Sequence, residues 1–244
     1  MKGRWFVMRF VVLTFILIIS GCQIDYAKLL NNEEQESTQS VNNGMDKLNQ
    51  DLLAASEQGD KERIRDLLSD GADIDATDTK GRTSAMIAVH TNQLDIFKLL
   101  IEQGADINIR DNNSDNPLLY AGAEGLLDFV KLAVAAGADT SILNRFGGTA
   151  LIPAADRGHV DTVEELLTTS DVNVNHINNL GWTALLEAII LGDGGKEHQE
   201  IVQLLIHHGA DVNLADSEGM SPIQHAKSEG YREMIEMLTI KGGK

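Results

Sequence analysis

Seven histidines, one cysteine and a glycine-rich stretch ending in lysine are the groups in this chain most able to do chemistry. "GDGGK" at 192–196 has the flavour of a phosphate loop. It lacks the spacing to a first glycine, the Ser or Thr after Lys196, and a preceding buried strand. It reads instead as a long polar loop, tolerated because closing a longer loop costs little. His207 and His208 with His198 could attract a metal. Adjacent residues on a helix point about 100° apart, however, and rarely chelate together. His90, His159, His176 and His225 are scattered, and His159 follows a turn glycine. There is no G-x-S-x-G and no H-E-x-x-H. Glu187 and Asp156 are a candidate carboxylate pair, set against an expected background of acids in so acidic a chain. No catalytic set, cofactor site or metal site follows from these residues.

Cys22 admits neither an intramolecular disulfide nor a Cys-rich zinc site. What precedes it is distinctive. Lys2, Arg4 and Arg9 make a positive start, and Val11 to Ile19 is apolar except for Thr14. The small residues Ser20 and Gly21 lead into Cys22. This is the layout of a secretory signal, with an apolar run too short to span a bilayer comfortably. Residues 31–44, "NNEEQESTQSVNNG", contain one apolar side chain, Val41, and cannot offset their ordering entropy by burial. They read as a flexible tether. The chain carries a net charge of −17. All three basic side chains of residues 1–21 are unmatched by acids, so a chain beginning at Cys22 has 17 basic against 37 acidic groups, a net of −20. A field of that sign argues against nucleic acid and against anionic lipid head groups as partners.

The stretch Ile19-Ser20-Gly21-Cys22 resembles the lipobox of bacterial lipoproteins. That resemblance implies a diacylglyceryl group on the Cys22 thiol, cleavage before Cys22, and a lipidated amino terminus. More than one acyl chain gives stable anchoring. Gln23 is not the Asp that tends to retain such proteins at the inner membrane, so the outer membrane is open to it.

The remainder repeats itself. Gly-Ala-Asp occurs at 71–73, 104–106, 137–139 and 209–211, the first three 33 residues apart. Gly59, Asn92, Gly125 and Gly158 lie on a second grid of the same period, and Asn is the residue that best replaces glycine at positive φ. Thr83, Asn116, Thr149, Thr183 and Ser221 are all able to cap a helix. Pro117 and Pro222 fall at first helical positions. A first helix is predicted over Ser84–Thr91. A second is predicted over about Leu94–Gln103, with a broad apolar face and a left-handed stop at Gly104. Such a pair cannot hide its apolar face alone, and stacking buries it.

Period and motif together, with "GWTALLEA" at 181–188, "GHVDTVEELL" at 158–167 and "GADVN" at 209–213, resemble ankyrin repeats over residues 46–241. The implied fold is all-α: an ankyrin-repeat solenoid of helix-turn-helix units with hairpin-like turns. Units fall at 46–78, 79–111, 112–144, 145–178 and 179–216, with a truncated unit at 217–241. The domains are then a lipoprotein signal peptide at 1–21, a polar tether at 22–45 and the array at 46–241. Met86, Leu119, Ile152, Leu186 and Gln224 stand where ankyrin units commonly carry histidine, so the usual inter-unit relay is expected to be missing. "TTSDVNVN" lacks Gly-Ala and carries one extra residue, and "LGDGGKEHQ" at 191–199 lengthens the fifth unit.

The resemblance places partner binding on turn tips and on the concave face. On the tips these are Arg82, Arg110, Arg145, Phe146, Leu180, Trp182 and Met220, with Lys80, Asp115 and Glu218 beside them. On the concave face they are Tyr120 and Glu187, with His90, Glu124, Arg157 and Ile190. Phe146 and Trp182 weigh most, since aromatics and arginines dominate interface energetics. The expectation is a lipid-anchored, exported bacterial binding protein for an unidentified protein, held at the cell membrane or outer membrane. The alternatives are an inhibitor or accessory subunit of one envelope enzyme, or hydrolase or metal-binding chemistry near 191–199. Cys22→Ala should stop incorporation of labelled fatty acid and block normal processing. Absence of label in the unaltered protein sinks the lipid anchor.

Overall fold

A computed structural model describes residues 44–244. The lipobox, Tyr26–Leu30 and nearly all of the tether lie outside the described residues. Six helix pairs follow: α1 (44–58) with α2 (Lys61–Ser69), α3 (Ser84–His90) with α4 (Leu94–Glu102), and α5 (Pro117–Ala123) with α6 (Leu127–Ala135). Then come α7 (Leu151–Asp156) with α8 (Val160–Thr169), α9 (Ala184–Ile190) with α10 (Lys196–His207), and α11 (Pro222–Glu229) with α12 (Arg232–Ile240). First helices stack in one row, α3 on α5 on α7 on α9 on α11, and second helices in another, α4 on α6 on α8 on α10 on α12. One continuous apolar core runs between the rows, from Leu52 to Leu238. Among the described residues there are no strands, only an isolated bridge between Thr77 and Thr83. This is an ankyrin-repeat solenoid.

Each turn between units closes on one Asx side chain. The Oδ1 of Asp78 accepts from the amides of Lys80 and Arg82. Asp111, Asn144, Asn178 and Asp216 repeat the arrangement with the amides two and four residues on. The short acceptor fixes the finger without a strand ladder. Neighbouring fingers are also joined, since Asn112 N–H donates to Lys80 C=O and Asn179 N–H to Phe146 C=O.

Thr83, Asn116 and Thr183 cap α3, α5 and α9 as their types predict. Asn92 takes a φ of 55° on the glycine grid. Thr149 does not cap, which corrects the expectation for the fourth unit: α7 begins behind Ala150 with no side-chain cap. Elsewhere the amide four residues beyond the cap closes the first turn, as Ile87 and Tyr120 do. In the fourth unit that residue is Pro153, which has no N–H, and the Thr149 hydroxyl is buried without a partner. At Ser221, Gln224 Oε1 accepts from the Ser221 amide while the Ser221 hydroxyl donates to Lys244 C=O.

Inter-unit hydrogen bonding is relocated rather than lost. Met86, Leu119, Ile152 and Leu186 are buried, as apolar residues at the usual histidine position should be. The ties come instead from the start of the second helix: the residue behind Asn92, Gly158 and Gly230, and in the fifth unit His198 in the first turn of α10. Gln93 Nε2 donates to Ser56 C=O and Glu57 C=O, His159 Nε2 pairs with Ala123 C=O at 3.2 Å, and His198 Nε2 with Asp156 C=O at 2.9 Å. Tyr231 Oη donates to Gly192 C=O in the next position. The inserted loop is fastened by the same contacts, since Asp193 Oδ1 lies 3.0 Å from His198 Nδ1 and accepts from the Gly195 amide. Along the far edge a second ladder has Asp75, Asn108, Asn175 and Asn213 side chains accepting from the next unit's amide. The irregular fourth junction interrupts that ladder. There α8 ends in an extended Ser170 rather than a left-handed glycine, and Thr140 Oγ1 donates to Asp171 Oδ1.

Gly104 holds a φ of 90° behind α4, with its amide on Ile101 C=O and that of Ala105 on Leu100 C=O. Nothing crowds the site, so strain there is purely backbone. Gly104→Val is expected to lower unfolding stability by more than about 1 kcal/mol in urea titration. An unchanged midpoint means that the left-handed stop is dispensable.

Candidate functional site: a concave groove across the central units

Fingers and first helices of the third to fifth units enclose a groove of about 430 Å³. Its walls come from α5 (Tyr120, Glu124), α7 (Ile152, Asp156, Arg157) and α9 (Glu187), and from the fingers around Asp115, Arg145 and Leu180. Of the predicted partner residues, the fold gathers Tyr120, Arg145, Phe146, Leu180 and Glu187 here. Asp115, Glu124, Arg157 and His90 line the same space. The other predicted residues sit elsewhere. Arg82 is folded onto Asp78 of its own finger at 2.7 Å, and exposed Arg110 donates to Leu143 C=O. Trp182 and Met220 are half-buried on their fingers, outside this groove.

The rim is apolar. Phe146 is 54% exposed, Leu180 53% and Leu191 51%, and all three border the groove. Arg145 stacks over Phe146 at 4.6 Å and lies 3.6 Å from Asp115. Leu191 stands directly behind its first helix, the position of Thr91, Glu124 and Arg157 in the earlier units, and is the apolar one of the four. Arg157 donates to Glu124 and to Ala123 C=O, so both arginines of the groove are engaged.

Glu187 is the least expected feature. It is 7% exposed, and Asn178 Nδ2 donates to its Oε1 at 2.7 Å. Asn178 therefore holds its finger through Oδ1 and the groove floor through Nδ2. Burial above all, with the nearby charge of Asp156, lifts the Glu187 carboxyl to about 7, against the opposing pull of Asn178. Burial also raises Asp156, opposed by Arg157, His198 and His159. Asp115 is raised by burial and by Asp111. At the far end, burial lowers His90, whose ring lies 3.9 Å from that of Tyr120 and whose Nε2 is buried without a partner. Among the described residues no group of three or more His, Cys, Asp or Glu side chains is placed to hold a metal ion. The groove offers hydrogen-bond acceptors beneath an apolar rim, which is equipment for binding.

A carboxyl that keeps its proton in the fold up to about pH 7, but loses it near 4.5 when unfolded, makes the fold less stable as pH rises. The penalty begins above about 4.5 and is complete above about 7. Glu187→Gln keeps the acceptor for Asn178 and removes the titration. It should flatten the fall in melting temperature between pH 5 and 8 and add about 1–3 kcal/mol at pH 8. Parallel profiles for the two proteins mean that Glu187 titrates normally.

The chain matches families described as ankyrin repeats (3 copies), at residues 52–142 and 121–216, and ankyrin repeats (many copies), at residues 194–239. It is 40% identical over 192 residues to the ankyrin repeat protein YahD of Escherichia coli (strain K12), covering 79% of this chain and 96% of that one. It resembles the crystal structure of an ankyrin repeat domain from Acinetobacter baumannii AYE with a TM-score of 0.77 and 51% identity, over 79% of this chain and 98% of that one. A shorter likeness, 31% over 83 residues, links 34% of the chain to 51% of human protein phosphatase 1 regulatory subunit 27. With repeat, solenoid and relatives in agreement, the chain belongs to the ankyrin-repeat family, whose arrays are suited to protein–protein interaction.

Proposed function

We propose that this protein is a lipid-anchored bacterial receptor or scaffold that holds a protein partner in its concave groove, outside the cytoplasmic membrane. The observation that carries the reading is the coincidence of Phe146, Leu180 and Leu191 on one groove. Scattered exposed apolar side chains need no explanation, but a patch lining a concavity marks a contact surface. The signal-like start and Cys22 support placement at the envelope, with residues 22–45 as spacer. The acidic array is repelled by anionic head groups, which leaves the acyl chains to hold it there. No step of this activity needs catalysis or a cofactor.

Masking of one envelope enzyme is the narrower alternative, favoured by the partial likeness to a protein named as a phosphatase regulatory subunit. A photo-crosslinking residue at position 146 or 180, introduced in intact cells, should trap one dominant partner. Phe146→Ala with Leu180→Ala should weaken that complex at least tenfold while leaving the melting temperature within a few degrees. Undiminished binding moves the interface off the groove. If the trapped partner is an enzyme whose turnover falls on binding, the inhibitor reading takes over.

A further inference from the structure

We propose that the groove reads a basic residue: a lysine or arginine of the partner enters between Asp156 and Glu187 while an apolar neighbour on the same segment lies against Phe146 and Leu180. This rests on the groove being the binding surface. Among the described residues, no basic side chain is hydrogen-bonded to either carboxylate. Arg157 is committed to Glu124 and Ala123, and Arg145 to Asp115 and Phe146. Glu187 is more than nine-tenths buried, yet borders the groove and uses one oxygen, Oε1, for Asn178. Its second oxygen accepts no hydrogen bond among the described residues. The Asp156 side chain likewise accepts none, its residue contributing only a carbonyl to His198.

Burial of Glu187 with the charge of Asp156 nearby is a poor arrangement for the free protein, even though Arg157, His198 and His159 partly offset the burial of Asp156 itself. An ammonium or guanidinium placed between the two carboxylates exchanges that repulsion for two charge-assisted hydrogen bonds. The apolar stem of lysine or arginine fits the passage past Leu180 and Phe146. The acidic array around the groove steers a basic segment and repels an acidic one. A divalent cation fits less well, since calcium needs six or more oxygen ligands and no three-ligand group is assembled here.

A phage-displayed library of random linear peptides, selected on the full chain in detergent, tests this. Selected sequences should be enriched in Lys or Arg beside Leu, Ile or Phe. Replacing the basic residue by norleucine in a synthetic copy should weaken binding at least tenfold. Asp156→Asn with Glu187→Gln should erase that preference, and Asp156→Asn alone, at a half-exposed position, should reduce it if the double variant melts early. Three results overturn the proposal: groove ligands without a basic residue, equal affinity for the double variant and the unaltered chain, or no ligand at all. If such ligands still depend on Phe146 and Leu180, the groove reading survives this failure. If they ignore Phe146→Ala with Leu180→Ala, it falls as well. Calcium or manganese chloride that raises the melting temperature only when both carboxylates are present, with lysine peptides silent, assigns the pair to a metal and likewise overturns the proposal.

Discussion

Behind α1 the helices are six to twelve residues long, too short to be stable in water by themselves. An isolated pair also leaves half its apolar surface wet. Ile96, Phe97, Leu99 and Leu100 of α4 are buried in the shared core, with α3 and α6 packed against α4. Burial of each such side chain contributes roughly 1.5–3 kcal/mol, and every internal unit supplies that burial to two neighbours. The whole protein therefore depends on register between units. A unit that slipped against its neighbour would lose core contact and every polar tie along the edges at once.

The polar ties supply that register. A residue at the start of each of four second helices reaches back to the end of the preceding unit's first helix or just past it, as Gln93, His159, His198 and Tyr231 do. Short Asx side chains hold each finger at a set angle to the helix it precedes. The groove inherits its shape from both devices. Asp156, which lines it, ends α7 where His198 of α10 is fastened, and Asp193 of the inserted loop holds the other side of that ring, so the loop braces the groove wall. The glycine-rich sequence at 192–196 thus does structural work that its phosphate-loop look does not suggest.

Period, caps and left-handed stops were legible because each is set by local chemistry: a hydroxyl or amide that accepts from a first-turn amide, or a backbone that tolerates positive φ. Thr149 departs from that pattern because Pro153 has no N–H for the Thr149 carbonyl, and the Ile152 amide, the donor a side-chain cap would use, bonds that carbonyl instead. The missing histidine relay was legible too, but its replacement was not, since the residue at one position says nothing about Gln93 or Tyr231 at another. Tyr120, Arg145, Phe146, Leu180 and Glu187 were legible as surface candidates from their place in the repeat. That they share one groove was not, since their common location depends on the stacking of three units. Leu191 holds the repeat position of Glu124 and Arg157, but the glycine-rich insertion that follows it obscures the equivalence.

The same logic singles out Glu187 by comparison within the chain. Four residues beyond each cap position stand Ile87, Tyr120, Pro153, Glu187 and His225. This slot faces the Asx residue of its own finger, and two units use it for a hydrogen bond: Glu187 with Asn178, and His225 with Asp216 at 2.7 Å. In the last unit the pairing is complementary, an imidazole against a carboxylate that the Met220 amide and His225 both hold below its usual range. In the fifth unit it is incomplete, because a neutral amide faces a carboxylate and the charge has no counterpart. Ile87 shows that the slot accepts an apolar side chain at 3% exposure without loss of the fold. An ionisable group that costs stability where an isoleucine fits is not explained by packing. Glu187 and Asp156 line one groove, and recognition of a cation from outside the chain is the chemistry proposed to complete the pair.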